Sequence, residues 1–231
     1  MAASGRHVSA GHHRGRVNEP PNADARVDVR QSAFMNVARR DLIGVVAREV
    51  LGPLGVSQRR RSRVWLDDHG WWLVTVEFQP SVSKGLCYLN VGYQHLWVER
   101  NHVVFEDHGR PMGGTATVDA TDERAVRSMV GHAKSAIEDL RDRHGEGNAA
   151  LLRLAQDSHD DLNAGIAAAM VGDGTTATRK LSGIVHDADR GVAKSYLDSL
   201  SRGEVSDHAR RIVEATRRHL GLDPTPIDWT A

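Results

Sequence analysis

From Ser32 onward, apolar residues recur at the spacing of one helix face. The residues that share this stripe are Val37, Leu42, Val45, Val46 and Val50. Because Gly52-Pro53 follows the stripe and neither residue favours a helix interior, the pattern predicts one helix over residues 32–51.

Alternation of apolar and polar residues then predicts a four-stranded antiparallel sheet. The expected strands cover residues 64–66, 71–78, 86–97 and 103–105, joined by turns, with residues 107–111 closing the meander. Eight of the eleven aromatic residues lie between Trp65 and Phe105. Since large rings bury the most apolar area, we expect this sheet to be the folding core.

A second helix is expected after the capping residues Thr121-Asp122, with His144-Gly145 at its end. Its apolar stripe consists of Val126, Met129, Val130, Ala133, Ile137 and Leu140. Packed on the sheet with the first helix, it completes an α+β domain over residues 32–145.

From Gly147 the chain is rich in alanine and its pattern is helical. The first two helices are expected over residues 148–157 and from a Ser158-x-x-Asp161 cap through Met170. A third is expected over Ala177 to Val185, with continuation past Gly191 left open. A fourth is expected over Ala209 to Leu220. Small residues at regular spacing allow helices to approach closely, which is typical of helical hairpins. We therefore predict an all-α helical-hairpin domain over residues 147–222.

Both ends of the chain are expected to be tails. Residues 1–31 are rich in glycine, histidine, arginine and proline without periodicity, so they are expected to be disordered. Residues 223–231 form the C-terminal tail. Met35 begins the first periodic segment, which leaves open whether translation starts at Met1 or at Met35.

Composition excludes several classes of protein. The 231 residues include 30 basic and 30 acidic ones, a formal net charge of zero, which argues against nucleic acid as a partner. The sequence has neither an apolar run near the ~18 residues of a membrane span nor a signal peptide. A single cysteine, Cys87, excludes a disulfide framework. We expect a cytoplasmic protein without membrane contact, and its arginine bias is typical of GC-rich bacteria.

Aromatic and polar residues on the outer sheet face form the first candidate site. The alternation places Trp71, Glu77, Tyr88, Asn90 and Gln94 on this face. Such a mixture suits a binding surface, whereas a helix that covers the face would make the same residues part of the core.

A run of arginines, Arg59, Arg60, Arg61 and Arg63, is the second candidate. It suits contact with phosphate groups, or it is solvated charge that protects a sheet edge.

A metal site is the third candidate. His132 and the doublet His159-Asp160, followed by Asp187 or Asp189, occur in the order of a His-Asp metal-dependent phosphohydrolase. The doublet is equally explained as the capping turn of a helix.

The segment over residues 40–120 resembles a bacterial family of unknown function, the one numbered four-three-zero-four. The resemblance lies in the first helix, the basic run, Trp65, Val76-Glu77-Phe78-Gln79-x-Ser81 and Asn90-Val91-Gly92. It implies no activity and no site residues.

The sequence favours a non-enzymatic protein-interaction or ligand-binding module without a cofactor. Its expected partner is another protein, with a homo-oligomer as an open possibility, and the alternative is the metal-dependent phosphohydrolase. No phosphate-binding glycine loop or nucleophile elbow is present. The sequence does not decide whether the protein is an enzyme, nor what its substrate or partner is.

Overall fold

An antiparallel sheet and a helical array make up the part of the chain that the computed structural model describes, residues 42–83, 85–105, 107–109 and 117–224. The helices in this part are α1 (Leu42–Leu51), α2 (Glu123–His144), α3 (Gly147–Asp157), α4 (Asp161–Met170), α5 (Gly174–Ser182), α6 (Asp187–Arg202) and α7 (Val205–Leu220). The strands are β1 (Ser57–Gln58), β2 (Val64–Asp68), β3 (Trp72–Pro80), β4 (Leu86–His95), β5 (Asp107–Gly109) and β6 (Val118–Asp119).

The strands form one antiparallel sheet in the order β1-β2-β3-β4-β5, with β6 also paired to β4. The β3–β4 hairpin is its longest ladder, running from Trp72 opposite His95 to Pro80 opposite Cys87. The predicted α+β fold is confirmed, with six strands in the described residues instead of the expected four.

The expected fourth strand at residues 103–105 is wrong. The N–H of Val104 donates to the side-chain oxygen of Gln94 at 2.6 Å, so this apolar run lies against a side chain and joins no strand ladder. The strand that takes the expected position beside β4 is β5, where residues 107–109 pair with residues 91–93. The sequence pattern had placed a closing turn at that position.

The predicted boundaries and the predicted buried stripe of helix α2 are both confirmed. Asp122 caps the helix, since its carboxylate accepts from the N–H groups of Arg124 and Ala125. All six predicted apolar residues, from Val126 to Leu140, are buried. The helix contacts β3 and β4 and also packs against α1, so it covers one face of the sheet.

The predicted stripe of α1 is correct in part. Val46 is buried and Leu42 and Val50 pack against the core, whereas Val45 is 51% exposed, and Ile43, Gly44, Ala47 and Leu51 are the other buried residues. Adjacent valines at positions 45 and 46 point about 100° apart on a helix, so only one of them faces the core.

The helical half has five helices, and two details differ from the prediction. Asp160 caps α4 instead of Ser158, because its carboxylate accepts from the N–H groups of Leu162 and Asn163. Residues 177–200 form two helices, α5 and α6, and Val185 between them is exposed. Asp187 and Asp189 stabilise the new start, since acidic residues favour a helix N-terminus.

Buried hydrogen bonds join the helical half to the sheet at Trp97. The indole N–H of Trp97 donates to Asn163 Oδ1 at 2.7 Å, and the Tyr196 hydroxyl donates to the Trp97 carbonyl at 2.8 Å. The described residues belong to one compact unit, and one hydrophobic core runs through both halves. The division into two domains near residue 146 stays a prediction.

Several predictions fall outside the described residues. These are the tail over 1–31, the first residues of the 32–51 helix, the turn at 110–111 and the C-terminal tail beyond residue 224. Within the part that is described, no helix combines the length and apolar character that crossing a membrane requires.

Arg217 of α7 ties the C-terminal helix to the end of β2. Its Nη1 and Nη2 atoms donate to the two carboxylate oxygens of Asp68 at 2.6 and 2.8 Å. The same guanidinium donates to the carbonyl oxygens of Gly70 and Asp223, and the residue is 3% exposed.

We expect Arg217→Met to lower the free energy of unfolding by about 2–4 kcal/mol, because three buried or partly buried acceptors lose their donor. Urea denaturation measures the change. Arg218→Met, at the exposed neighbouring position, should change stability by less than about 0.5 kcal/mol. Equal effects of the two substitutions would contradict this role of Arg217.

Candidate functional site

A pocket of about 370 Å³ lies between the end of β2, the turn that follows α1, and the α2–α3 connection. Its polar wall consists of Asp67, His69, Arg141 and Glu146, and Leu54 and Trp72 also line it. Consecutive residues of a strand point to opposite faces. Asp67 and Asp68 at the end of β2 therefore meet different helices.

Asp67 and Arg141 form the fixed centre of the pocket. Nε and Nη2 of Arg141 donate to the two carboxylate oxygens of Asp67 at 2.8 and 2.6 Å, and Nη2 also donates to the Leu54 carbonyl at 2.7 Å. Burial opposes ionisation of Asp67, but hydrogen bonds from His69 and Arg141 outweigh it, and the pKa is lowered. Asp67 is therefore a carboxylate at neutral pH.

His69 bridges two carboxylates. Its Nε2 atom lies 2.8 Å from Asp67 Oδ2, and its Nδ1 atom lies 3.3 Å from Glu146 Oε1. The ring stacks on Trp72 with centroids 4.0 Å apart and planes 7° apart, which fixes its orientation. A neutral imidazole donates from only one nitrogen, so the ring donates to both acids only when it is protonated.

Glu146 and the second terminal nitrogen of Arg141 are the groups that face an incoming ligand. The Glu146 side chain is 80% exposed, and its bond to His69 is the long one. Among the described residues, Nη1 of Arg141 donates no hydrogen bond, and the side chain is partly exposed. The pocket thus presents one free carboxylate and one free guanidinium edge.

Carboxylate, imidazole and guanidinium groups are the polar side chains that line this pocket. Its lining residues in the described chain include no serine, threonine, cysteine, lysine or tyrosine. Those are the usual nucleophiles of covalent catalysis.

The strand pattern predicts only a connecting turn between residues 66 and 71, and it gives no sign that Arg141 contributes to a site. The sequence feature that could have indicated the site is the pair of adjacent acidic residues Asp67 and Asp68 at the end of a strand. A carboxylate that is removed from water there needs a cationic partner.

The predicted sheet-face surface is only partly accessible. Glu77, Tyr88 and Asn90 are half-buried on one face, and Asn90 Nδ2 donates to Glu77 Oε2 at 3.1 Å. Gln94 is fully buried at the same face, under the segment that contains Val104. Whether the accessible residues contact a partner stays a prediction.

The expected placement of Trp71 on the outer face is wrong. Trp71 precedes β3, lies in the turn after β2 and is 4% exposed. Its ring stacks on Trp97 at 4.9 Å and on His95 at 5.8 Å. Trp71 is part of the core because its ring stacks on these two rings. The alternation of strand residues does not predict this, because Trp71 lies in a turn.

The basic run lies in the β1–β2 connection, which we name the arginine loop (residues 59–63). Arg59 Nη2 donates to the carbonyl of Leu220 at 3.0 Å, at the C-terminus of α7. Arg60, Arg61 and Arg63 are exposed. Arg63 also interacts with the Cys87 thiol, where its charge and hydrogen bond oppose the rise in pKa that burial causes. Two of the four predicted arginines thus have a partner within the chain, and Arg60 and Arg61 are exposed.

The predicted metal ligands do not form a site. His132 is exposed on α2, and its Nδ1 atom lies 2.6 Å from the Ser128 carbonyl. Asp160 caps α4, the role that the capping interpretation gave to this doublet. The described residues include no group of three or more His, Cys, Asp or Glu side chains that could hold a metal ion, so His132, His159 and Asp160 are not brought together.

A group of stacked rings lies behind the pocket. His144, the last residue of α2, lies 3.8 Å from Tyr93 and 5.4 Å from Trp72 between ring centroids. Burial, followed by electrostatic interactions with His95 and Arg143, lowers the pKa of His144 to about 3. Within the described chain, its Nε2 atom is buried without a hydrogen-bond partner.

We expect Trp71→Ala to lower the free energy of unfolding by about 3–5 kcal/mol, because it removes a buried ring and leaves a cavity. Tyr88→Ala is the matched change at a half-buried sheet residue, and it should cost less than about 1.5 kcal/mol. Chemical denaturation of both variants distinguishes a core role of Trp71 from a surface role, which equal small losses would indicate.

The free energy of unfolding should decrease as the pH falls, because the pKa of His144 is lower in the folded state. The unfolded histidine titrates near pH 6.5 and the folded one at about 3, so the folded state binds fewer protons in between. This contribution is complete above about pH 6.5 and is lost as the pH falls towards 3. We expect a loss of about 1 kcal/mol per pH unit between about pH 6 and 4, below the ~1.4 kcal/mol limit because the ring is partly solvated.

Urea denaturation at a series of pH values measures this slope. His144→Phe should flatten it, since phenylalanine keeps the ring packing and carries no proton. His132→Phe, at an exposed position of the same helix, should leave the slope unchanged. A slope that persists in His144→Phe would show that other groups cause it.

Comparison of the chain with protein-family models, with curated proteins and with solved structures finds no match. The resemblance over residues 40–120 therefore stays a prediction, and the site is interpreted from its geometry alone.

Proposed function

We propose that the protein is a non-enzymatic binding module whose pocket takes a small polar ligand with a cationic, hydrogen-bond-donating group such as an amine. The observation that carries this proposal is the exposed carboxylate of Glu146 beside a pocket wall whose other charges are already paired. A ligand amine would replace the long contact between Glu146 and His69.

The balance of charge in the pocket supports a cationic group. The pocket contains three carboxylates, and two of them, on Asp67 and Asp68, are neutralised by Arg141 and Arg217. Glu146 is the one with no strong cationic partner in the described chain. A donor-rich ligand would satisfy it, and charge-assisted hydrogen bonds of this kind are stronger than neutral ones.

The rigidity of the pocket supports binding with little reorganisation. Asp67 is held by two hydrogen bonds from Arg141, and His69 is fixed between Asp67 and the Trp72 ring. Side chains that are already fixed lose little conformational entropy when a ligand arrives. The groups that must adapt are the exposed side chain of Glu146 and the free edge of Arg141.

In this proposal, the sheet-face residues Glu77, Tyr88 and Asn90 form a second surface, for a protein partner. Part of each side chain remains exposed to solvent and is accessible to such a partner. A cytoplasmic location belongs to the same proposal, and the buried free thiol of Cys87 is consistent with it.

Putrescine is a suitable probe of the pocket, and succinate is the matched compound of opposite charge. In ¹H–¹⁵N correlation spectra at pH 7, we expect putrescine to shift the amides of Gly55, Gly145 and Glu146, which line the pocket. Glu146→Gln should weaken putrescine binding about fivefold, or ~1 kcal/mol, because an exposed charge pair is lost.

Glu204→Gln is the control, since this exposed carboxylate lies between α6 and α7 and pairs with Arg202. It should leave the putrescine titration unchanged. Shifts caused by succinate at the same amides would overturn the assignment of a cationic ligand. Equal weakening in both variants would indicate binding to general surface charge.

A further inference from the structure

The arginine loop carries positive charge that its surroundings do not balance. Arg60, Arg61 and Arg63 are exposed, and in the described chain none of the loop's arginines lies within ion-pair distance of a carboxylate. Arg48 of α1 adds a fifth guanidinium nearby, since its Nη2 atom donates to Gln58 Oε1 at 3.4 Å.

The acidic residues closest in sequence are already neutralised. The sequence has no Asp or Glu between Glu49 and Asp67. Glu49 pairs with Arg127 at 3.2 Å, while Asp67 and Asp68 pair with the arginines of α2 and α7. On the neighbouring strand, Glu77 lies opposite Val64 and accepts a hydrogen bond from Asn90. This one carboxylate does not balance the arginines of the loop, so the zero net charge of the chain conceals a local excess of positive charge.

The loop backbone is fixed by its own hydrogen bonds. The N–H of Arg59 donates to the Val64 carbonyl at 2.8 Å, and the Ser62 N–H and hydroxyl both donate to the Arg59 carbonyl. Gln58 Nε2 donates to the Ser62 carbonyl at 2.7 Å, and Arg59 anchors the loop to Leu220. The exposed arginines thus project from a held turn.

The conformation of Arg60 is an independent sign of function. Its φ of 54° is in the left-handed region, the only positive φ outside glycine in the described chain. Glycine or asparagine adopts this conformation at lower cost. Strained residues of this kind are concentrated at functional sites, where a particular side chain is required.

We propose that the arginine loop binds the phosphodiester backbone of a nucleic acid. Guanidinium groups form paired hydrogen bonds with phosphate, and this contact requires only charge and geometry. Charges more than about 10 Å away are screened by salt, so the local excess decides the contact and not the net charge.

The alternatives need apolar anchors that the loop lacks. The exposed large apolar residues of the described chain are Val45, Val82, Leu152 and Val185. None of them lies in the loop. Stable binding at a membrane surface requires buried apolar area, and a protein interface requires a hydrophobic centre.

Fluorescence anisotropy with a labelled 20-base-pair DNA duplex tests the proposal on the full chain. We expect micromolar binding at low salt. The triple variant Arg60→Ser, Arg61→Ser, Arg63→Ser should weaken it at least about tenfold and reduce the slope of log K against log salt by about 2–3. Arg59 is retained because it anchors the loop.

The matched control is Arg190→Ser, Arg202→Ser, Arg210→Ser, which removes the same charge from arginines that each pair with a carboxylate. It should weaken binding less than about twofold. Equal losses in the two triple variants would overturn the proposal, as would displacement of the DNA by polyglutamate at equal charge, which would indicate an acidic polypeptide partner.

Arg60→Gly separates binding from folding. Glycine accepts the left-handed conformation without strain, so the melting temperature should rise while DNA affinity falls about two- to threefold. A rise in stability with unchanged affinity would show that Arg60 takes no part in binding and would contradict its place in the site.

Discussion

Two adjacent aspartates at the end of β2 are the point on which the rest of the structure depends. Asp67 faces the end of α2 and Asp68 faces the end of α7, and each accepts two hydrogen bonds from one arginine. Charges removed from water cost several kcal/mol each unless they are paired in this way. The two pairs therefore fix the last turns of both helices against the same strand and connect the α+β part with the C-terminus of the helical part.

The two ion pairs affect the charge of both the pocket and the arginine loop, and the two sites differ in the sign of that charge. Because Asp67 and Asp68 are occupied by arginines from the helices, the pocket retains Glu146 as its free acid. Asp67 and Asp68 are therefore not partners of the arginine loop, and Glu77, opposite Val64 on β3, is the acid that remains near it. The same ion pairs thus underlie both proposals, a cationic ligand at the pocket and a polyanion at the arginine loop, in a chain whose formal net charge is zero.

Amphipathic elements could be predicted from the sequence, and features that depend on distant partners could not. The stripe of α2 and the β2–β3 and β3–β4 strands follow from periodicity, because one face of each is buried along its length. Val104 was misread because the Gln94 side chain takes its N–H, a contact between residues that pattern does not connect. The pocket was missed for the same reason, since Arg141 lies 74 residues from Asp67 in sequence.

The ring group behind the pocket shows why the aromatic residues are poor candidates for a binding surface here. Trp71 and Trp72 are almost completely buried, and Trp72 reaches the pocket only beneath the His69 ring. His144 packs among the same rings, and its lowered pKa keeps it uncharged at neutral pH. The Trp72 ring thus holds His69 in place, and Glu146 and Arg141 are the pocket groups that remain partly exposed. In this chain the density of aromatic residues indicates the folding core, and the binding proposals rest on exposed charges instead.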